Sequence, residues 1–505
     1  MASAGPVPAL ADRAARCADR LRDADEVLLA SHIDADGLTS AAIASSALER
    51  AGIPFETVFS KQLDAEEIAS IAATDYETVL FTDFGSGQLD VIADHEEAGE
   101  FTPVIADHHQ PADPDTEFHL NPLLFDVDGS SELSGAGAAY VLARALESDG
   151  TDNPDGTDNR DLAGLAVVGA VGDMQTTDGE LVGANQSIVA EGEEAGVVES
   201  RTDLAMYGKQ TRPLPKMLEY ASDTRIPGIT NNENGVLRFL DGLDVRLKDD
   251  DGEWRCWVDL TESEQSTVSN ALIQRALSKG VSPDKIDRLV GTAYTLTDEP
   301  EGTELRDVSE FSTLLNATAR YERADVGLAV CLGNRDGALD QARELLRNHR
   351  RNLSEGLQLV KREGVTNEEN VQWFHAEDRI RETIVGIVAG MAVGAEGIDR
   401  GTPILAFAEK TDESEGEKAD ESDGETADAN DDEEDEEVAE VKVSARGTPS
   451  LTRRGLDLSV VMREASKAVG GDGGGHNVAA GATVPKGTED EFVALADELV
   501  GEQLD

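Results

Sequence analysis

The chain has 505 residues, enough for several domains with real hydrophobic cores. Its 103 acidic residues against 43 Lys and Arg give a net charge of −60, yet 39% of residues are hydrophobic and recur with clear periodicity, which excludes wholesale disorder. With 12 Lys beside 31 Arg, the acidity is that of a protein kept soluble in concentrated salt, where the Debye length falls to about 3 Å at 1 M; the other reading is an acidic partner-binding protein from an ordinary cell.

From Glu26 short apolar runs alternate with amphipathic helical patterns. Residues 26–32 (EVLLASH) read as a buried strand and 38–52 as a helix closed by Gly52; 57–62, 78–85 and 101–109 read as further strands that turn polar at their ends. Strands separated by helices predict a mostly parallel sheet covered on both faces, with ligands bound at the carboxyl ends of its strands. Residues 134–148 read as a helix, 151–159 as an acidic loop and 161–175 as an apolar segment ending in charge. A mixed, largely helical region follows to about 330, then a helix over 341–362. A smaller α/β lobe closes the chain, with strands at 371–377, 402–410 and 441–447, a Gly/Ala-rich helix at 379–395 and a glycine cluster near 473. Residues 411–440 hold 17 acidic residues and one Lys without apolar periodicity, and predict a disordered insert in a lengthened hairpin loop. The expected boundaries are 1–200, 201–345 and 346–505.

No run reaches the length of a membrane span, and the opening MASAGPVPAL lacks a basic segment followed by an apolar one. Cys17, Cys256 and Cys331 lie far apart with no CxxC, which argues against a disulfide framework or a thiolate zinc site. A cytoplasmic, unexported protein without a membrane partner is expected.

Four acidic or imidazole clusters end apolar segments of the first lobe: His32-Ile33-Asp34-Ala35-Asp36-Gly37, Asp83-Phe84-Gly85, Asp107-His108-His109 and Gly172-Asp173. Hard divalent cations want carboxylate oxygens, and imidazoles shift the preference toward Mn or Zn. A pair of metals needs several ligands, a bridging carboxylate and open positions for water and substrate, and four loops at one sheet edge supply that set. Singly each cluster reads as a structural His or a turn Asp; together and in this order they point to metal. There is no GxSxG, so no side-chain nucleophile is expected.

In order, these motifs resemble the four motifs of the DHH phosphoesterases, and Gly473-Gly474-Gly475-His476 resembles the signature of their DHHA1 companion domain. Over about 25–490 the chain is most similar to RecJ-type single-strand exonucleases, and among those to archaeal relatives, some of which associate with the replicative helicase factor GINS. The resemblance implies an N-terminal DHH lobe, a helical linking region and a smaller C-terminal DHHA1 lobe. It implies two Mn²⁺ ions, with Mg²⁺ as the other choice: His32, Asp34 and Asp83 at one, and Asp36, Asp83, His108 and Asp173 at the second. Asp107 would be a ligand or would orient one, and His109 would position a ligand or the scissile phosphate. Asp107, His108 and His109 are thus the catalytic candidates.

Ser444 and Arg446 resemble the family's second substrate-binding element, with Arg446 a phosphate clamp. Gly473, Gly474, Gly475 and His476 read either as a phosphate cradle or as a flexible loop. Six basic residues (Lys442, Arg446, Arg453, Arg454, Arg463, Lys467) form an island in this acidic chain. Arg343, Arg347, Arg350 and Arg351 share a helix face that reads as a phosphate-tracking groove or a salt-bridged surface. Aromatics are only 4%, so readout through backbone and metals is expected over rows of stacked bases. The expected activity is stepwise hydrolysis of single-stranded DNA or RNA to mononucleotides by metal-activated water. The rivals are a phosphodiesterase for linear or cyclic dinucleotides and a non-catalytic replisome scaffold binding GINS.

Overall fold

The computed structural model describes residues 5–147, 158–221, 224–395, 397–410 and 439–504. The chain forms two compact units, residues 1–346 and 347–505.

The first unit is built on five parallel strands, β1 (Val27–His32), β2 (Phe55–Ser60), β3 (Thr78–Thr82), β4 (Thr102–Ala106) and β5 (His119–Leu120), in the spatial order β2-β1-β3-β4-β5. Runs such as VLLASH are apolar on both faces of the pleat and need cover on both. Val27 and Leu29 of β1 enter one core with helices α1 (Ala11–Arg22), α2 (Ala35–Ala51), α5 (Gly135–Ala145) and α6 (Ala163–Gly172). Leu28 and Ala30 enter the other, against α3 (Ala65–Ala72) and α4 (Leu89–Ala98). The apolar segment at 161–175 is therefore helix α6, buried almost all round.

Strand Val198–Leu204 pairs antiparallel with Val290–Leu296, and between them helices Leu214–Glu219, Glu233–Asp241 and Glu262–Ser278 close around a separate core that includes Trp257. The chain then returns to the first core: helices Val308–Arg320 and Ala324–Cys331 bury Phe311, Leu314, Leu315 and Val326 there, packed on α6 and α2. The expected boundary at 345 lies one residue from the division between the two units, whereas the one at 200 has no counterpart there. Only the segment between the two paired strands stands apart, because the amphipathic helices beyond it find their apolar partners in the first lobe.

The second unit holds a six-stranded mixed sheet in the order Thr366–Asn367, Gln372–His375, Ile404–Glu409, Glu440–Arg446, Ala479–Pro485, Asp472–Gly475. Helix Glu382–Ala392 covers one face, and helices Leu458–Ala468 and Glu489–Leu504 the other. The acidic insert does join two antiparallel neighbours; its residues 411–438 lie outside the described residues, as do 151–157 of the acidic loop, and Glu440 already belongs to a strand. The glycine cluster is an edge strand, not a loop. No described helix is long and apolar enough to cross a membrane.

Candidate metal centre

The carboxyl ends of β1, β3 and β4 and the end of α6 deliver the four motifs to one edge of the first sheet. Past His32, the Asp34 side chain caps α2, its Oδ1 accepting from the N–H groups of Asp36 and Gly37 at 3.0 Å each. Gly37 has to be glycine: a Cβ there would lie 2.1 Å from the His32 carbonyl oxygen. Asp83 follows β3 with φ 60°, a conformation that costs a non-glycine residue energy and is held here by its N–H bond to Ala106. Asp173 caps the end of α6.

The side chains meet in groups that share Asp83. His32 Nδ1 lies 3.4 Å from Asp34 Oδ1 and 3.4 Å from Asp83 Oδ2. His108 Nε2 lies 3.3 Å from Asp83 Oδ1, 3.7 Å from Asp36 Oδ2 and 3.8 Å from Asp173 Oδ2. His108 Nδ1 is 2.6 Å from the Gly129 carbonyl, which fixes its proton there and leaves Nε2 bare toward the carboxylates. His32/Asp34/Asp83, Asp36/His108/Asp173 and Asp83/Asp107/His108/His109 each gather their donor atoms closely enough for one cation.

The donor set fits divalent metal. Asp83 Oδ1 is buried and accepts no hydrogen bond. Burial raises the Asp36 carboxyl well above its usual range, with the charges of Asp83 and Asp173 adding to it, and Asp173 is raised by burial too. Burial works against a charged His32, yet Asp34 and Asp83 outweigh it and hold the ring up to about 11. So much negative charge in so little water calls for a multivalent cation.

Several residues that sequence reasoning left out shape this site. The N–H groups of Gly135 and Ala136, at the start of α5, bond Asp36 at 2.7 and 3.0 Å. A Cβ on Gly135 would stand 2.3 Å from Asp83 Oδ1, and one on Gly169 would stand 2.4 Å from Asp36 Oδ1. Gln175 Nε2 donates to Asp173 Oδ2 at 2.9 Å and is itself held by Asn185. Asn316 Oδ1 accepts from Ala35 N–H at 3.2 Å, so helix Val308–Arg320 abuts the first motif. The cue in the sequence was Ser-Gly-Ala-Gly at 134–137, a cap followed by residues small enough to approach two carboxylates.

Asp107 is fully buried and its oxygens are already committed. Oδ2 accepts from Ser86 N–H at 2.9 Å; Oδ1 accepts from the N–H groups of His108 and His109 and lies 2.8 Å from His109 Nδ1. The geometry therefore favours the orienting role over that of ligand. The His109 ring lies tilted against that of His108, with centroids 4.3 Å apart, and leaves 54% of its side chain exposed.

Ser444, Arg446 and the GGGH residues lie in the second unit. Register places Ala406, Ser444, Gly481 and Gly474 in one transverse row of the sheet, with Lys442 and Arg446 on the same face. Helix Glu382–Ala392 covers part of that face, and a Cβ on its Gly386 would lie 2.4 Å from Arg446 Nη2 and 2.9 Å from Ser444 Oγ. The three glycines divide in role. A Cβ on Gly473 would strike Ala482 and the Met462 carbonyl at 2.8 Å, and one on Gly475 would stand 2.8 Å from Ala480, whereas nothing lies within 4 Å of one on Gly474. His476 forms the turn that follows, bonding Ala479. On the Arg helix, which runs Gly337–Glu363, Arg343 is taken by Glu304 at 2.5 Å and so belongs to a structural ion pair.

Three family descriptions match the chain in succession: DHH family, N-terminal domain, over residues 26–170; DHH-CID domain over 206–290; and DHHA1 domain over 426–502. An uncharacterized protein of Methanocaldococcus jannaschii is 29% identical over 484 residues, 94% of this chain and 93% of that one. The single-stranded-DNA-specific exonuclease RecJ of Dickeya dadantii is 30% identical over 138 residues, 25% of this chain and 24% of the relative. Among solved structures, RecJ of Thermus thermophilus in complex with Mn²⁺ superposes with TM-score 0.57 at 17% identity over 99% of this chain, which spans 56% of that protein's length. CDC45 of Entamoeba histolytica superposes with TM-score 0.61 at 11% identity over 98% of this chain and 99% of its own. With three domain matches in family order on this two-unit α/β architecture, the chain belongs to the DHH/DHHA1 superfamily and has a RecJ-like fold.

Proposed function

We propose that this protein is a metal-dependent exonuclease that hydrolyses single-stranded DNA or RNA stepwise to mononucleotides. The observation that carries the reading is buried Asp83 standing between two donor groups, its Oδ2 facing His32 and its Oδ1 facing His108. His32, Asp34 and Asp83 would hold one ion; Asp36, Asp83, His108 and Asp173 would hold the other, with Mn²⁺ or Mg²⁺ as occupant. Divalent ions at such a site activate water as the nucleophile and neutralise charge on the leaving oxygen.

The chain's own groups do the positioning. Gly129 sets the His108 tautomer, and the N–H groups of Gly135 and Ala136 fix Asp36. Asp107 holds His109 through Nδ1, so Nε2 is the atom that meets a phosphate oxygen of the scissile linkage. In the second unit, Ser444 and Arg446, with Gly474 on the same face of the sheet, capture the phosphates of the strand end, and His476 contacts phosphate or sugar. The remaining basic island and the scarcity of aromatics support readout of backbone over base.

The test is digestion of single strands of DNA and RNA, labelled at each end separately, in molar KCl with Mn²⁺, beside the His108→Ala protein. Label released at once from one end only, and only by wild type, is the expected result; cleavage of a dinucleotide but of no strand would move the protein to small substrates. A second reading, a replisome scaffold with GINS as the partner to test, is favoured by the CDC45 likeness over the full chain. The complete donor set speaks against it.

A further inference from the structure

Behind Asp107 lies a relay that none of the four motifs contains, buried at Ser86 and His119 and exposed at Asp115. Ser86 Oγ and His119 Nε2 are 2.8 Å apart, and His119 Nδ1 is 2.6 Å from Asp115 Oδ1. These spacings match a Ser-His-Asp triad, but Ser86 and His119 have no exposed surface, so no substrate reaches the hydroxyl.

The donors can be assigned. His119 Nδ1 faces a carboxylate and carries the proton, leaving Nε2 as acceptor. Asn121 Nδ2 donates to Ser86 Oγ at 2.9 Å, so the Ser86 hydroxyl hydrogen goes to His119 Nε2. Asn121 Nδ2 also donates to the His109 carbonyl at 2.9 Å, while Ser86 gives its backbone N–H to Asp107 Oδ2. From outside, Arg13 bonds the His119 carbonyl at 2.8 Å and lies 3.7 Å from Asp115. The Asp107-His108-His109 tripeptide is thus gripped at both ends by one hydrogen-bonded chain, and Asp107 in turn holds His109.

We infer that His119, through Ser86 and Asn121, is a positioning residue that sets the Asp107-His108-His109 loop for metal binding. The inference rests on the proposed metal site, since its consequence is the affinity of that site. Outer partners of metal ligands are worth roughly 10–100-fold in affinity when removed. Asp107 bears on His108 through its backbone N–H, and His108 Nε2 is the atom facing Asp36, Asp83 and Asp173. A slack loop therefore loses the imidazole ligand first.

The test titrates the full-length protein with Mn²⁺ alone, following free Mn²⁺ by electron paramagnetic resonance in molar KCl, with no substrate present. His119→Ala should bind Mn²⁺ roughly 10–100-fold more weakly. His119→Gln, whose amide oxygen can take the Ser86 hydroxyl, should recover most of that loss. Ser86→Ala removes one oxygen and keeps the N–H to Asp107, so it serves where the histidine variant does not fold, and it should also weaken binding. Folded His119→Ala and Ser86→Ala proteins that bind within twofold of wild type would overturn the inference. So would a fall in melting temperature in EDTA with Mn²⁺ affinity unchanged, which would assign the relay to stability alone. Wild-type protein that binds no Mn²⁺ would instead overturn the metal site itself, so the two failures are distinguishable.

Discussion

Gly135→Ala isolates what close packing contributes to the centre. The added Cβ would stand 2.3 Å from Asp83 Oδ1 and 2.8 Å from its Cβ and Cγ, where ordinary contact begins near 3.4 Å. One partner must move by about 1 Å. Asp83 cannot yield easily, because it is buried, held at φ 60° and bonded through its N–H to Ala106. The start of α5 must shift instead, and it carries the two N–H groups that fix Asp36. Overpacking of this kind costs about 1–3 kcal/mol of stability, while a 1 Å misplacement at a reacting centre costs about 100-fold in rate. The expected result is a folded protein whose kcat on a single-stranded oligonucleotide falls about 100-fold. Gly337→Ala is the control: its Cβ would touch nothing and it sits at the first position of a helix. Gly135→Ala protein with wild-type kcat and Mn²⁺ affinity would show that the start of α5 does not hold Asp83 and Asp36 in place.

Other consequences are open to direct assay. Asp83→Asn should abolish Mn²⁺ binding, and should cost catalysis more than loss of any single other carboxylate of the site; activity within tenfold of wild type would contradict its shared position. Mn²⁺ at 100 times its dissociation constant should stabilise wild type by about 2.7 kcal/mol and raise its melting temperature, and should leave Asp83→Asn unmoved; calorimetry with and without EDTA reads both. Burial raises the Glu310 carboxyl from its usual 4.5 to about 7, although Thr211 and the Gln210 N–H favour its charge. A raised acid stabilises the fold below its unfolded value and loses that contribution as pH climbs through the folded one. Stability of Glu310→Gln relative to wild type should therefore rise by about 2–3 kcal/mol between pH 4.5 and pH 7, and parallel urea-midpoint profiles would exclude it.

How much of this was legible in the sequence depends on the kind of contact. The strands ending at His32, Thr82 and Ala106 announced themselves as β-branched apolar runs that turn polar, and the motifs that follow them do converge. Helix α6 gave no periodicity because nearly every side of it is buried. The β5 pair His119–Leu120 is too short to carry a pattern, so the relay behind Asp107 joins Ser86 to a histidine 33 residues away that nothing local distinguishes. The N–H groups of Gly135 and Ala136 are backbone, and no residue type advertises them. The GGGH run read as cradle or loop because glycine's freedom suits both; in the sheet, packing against helix Leu458–Ala468 demands Gly473, while Gly474 faces open space. The helices beyond Val308 rejoin the first core through α2 and α6, far back in the chain, which spacing alone does not reveal.

In the proposed centre two ions share Asp83, and anomalous diffraction at the manganese edge, from crystals grown with Mn²⁺, would locate both. Two peaks are predicted on either side of Asp83, one beside His32 and Asp34, the other beside Asp36, His108 and Asp173. A single peak away from Asp83, or none at a concentration that supports cleavage, would contradict that sharing.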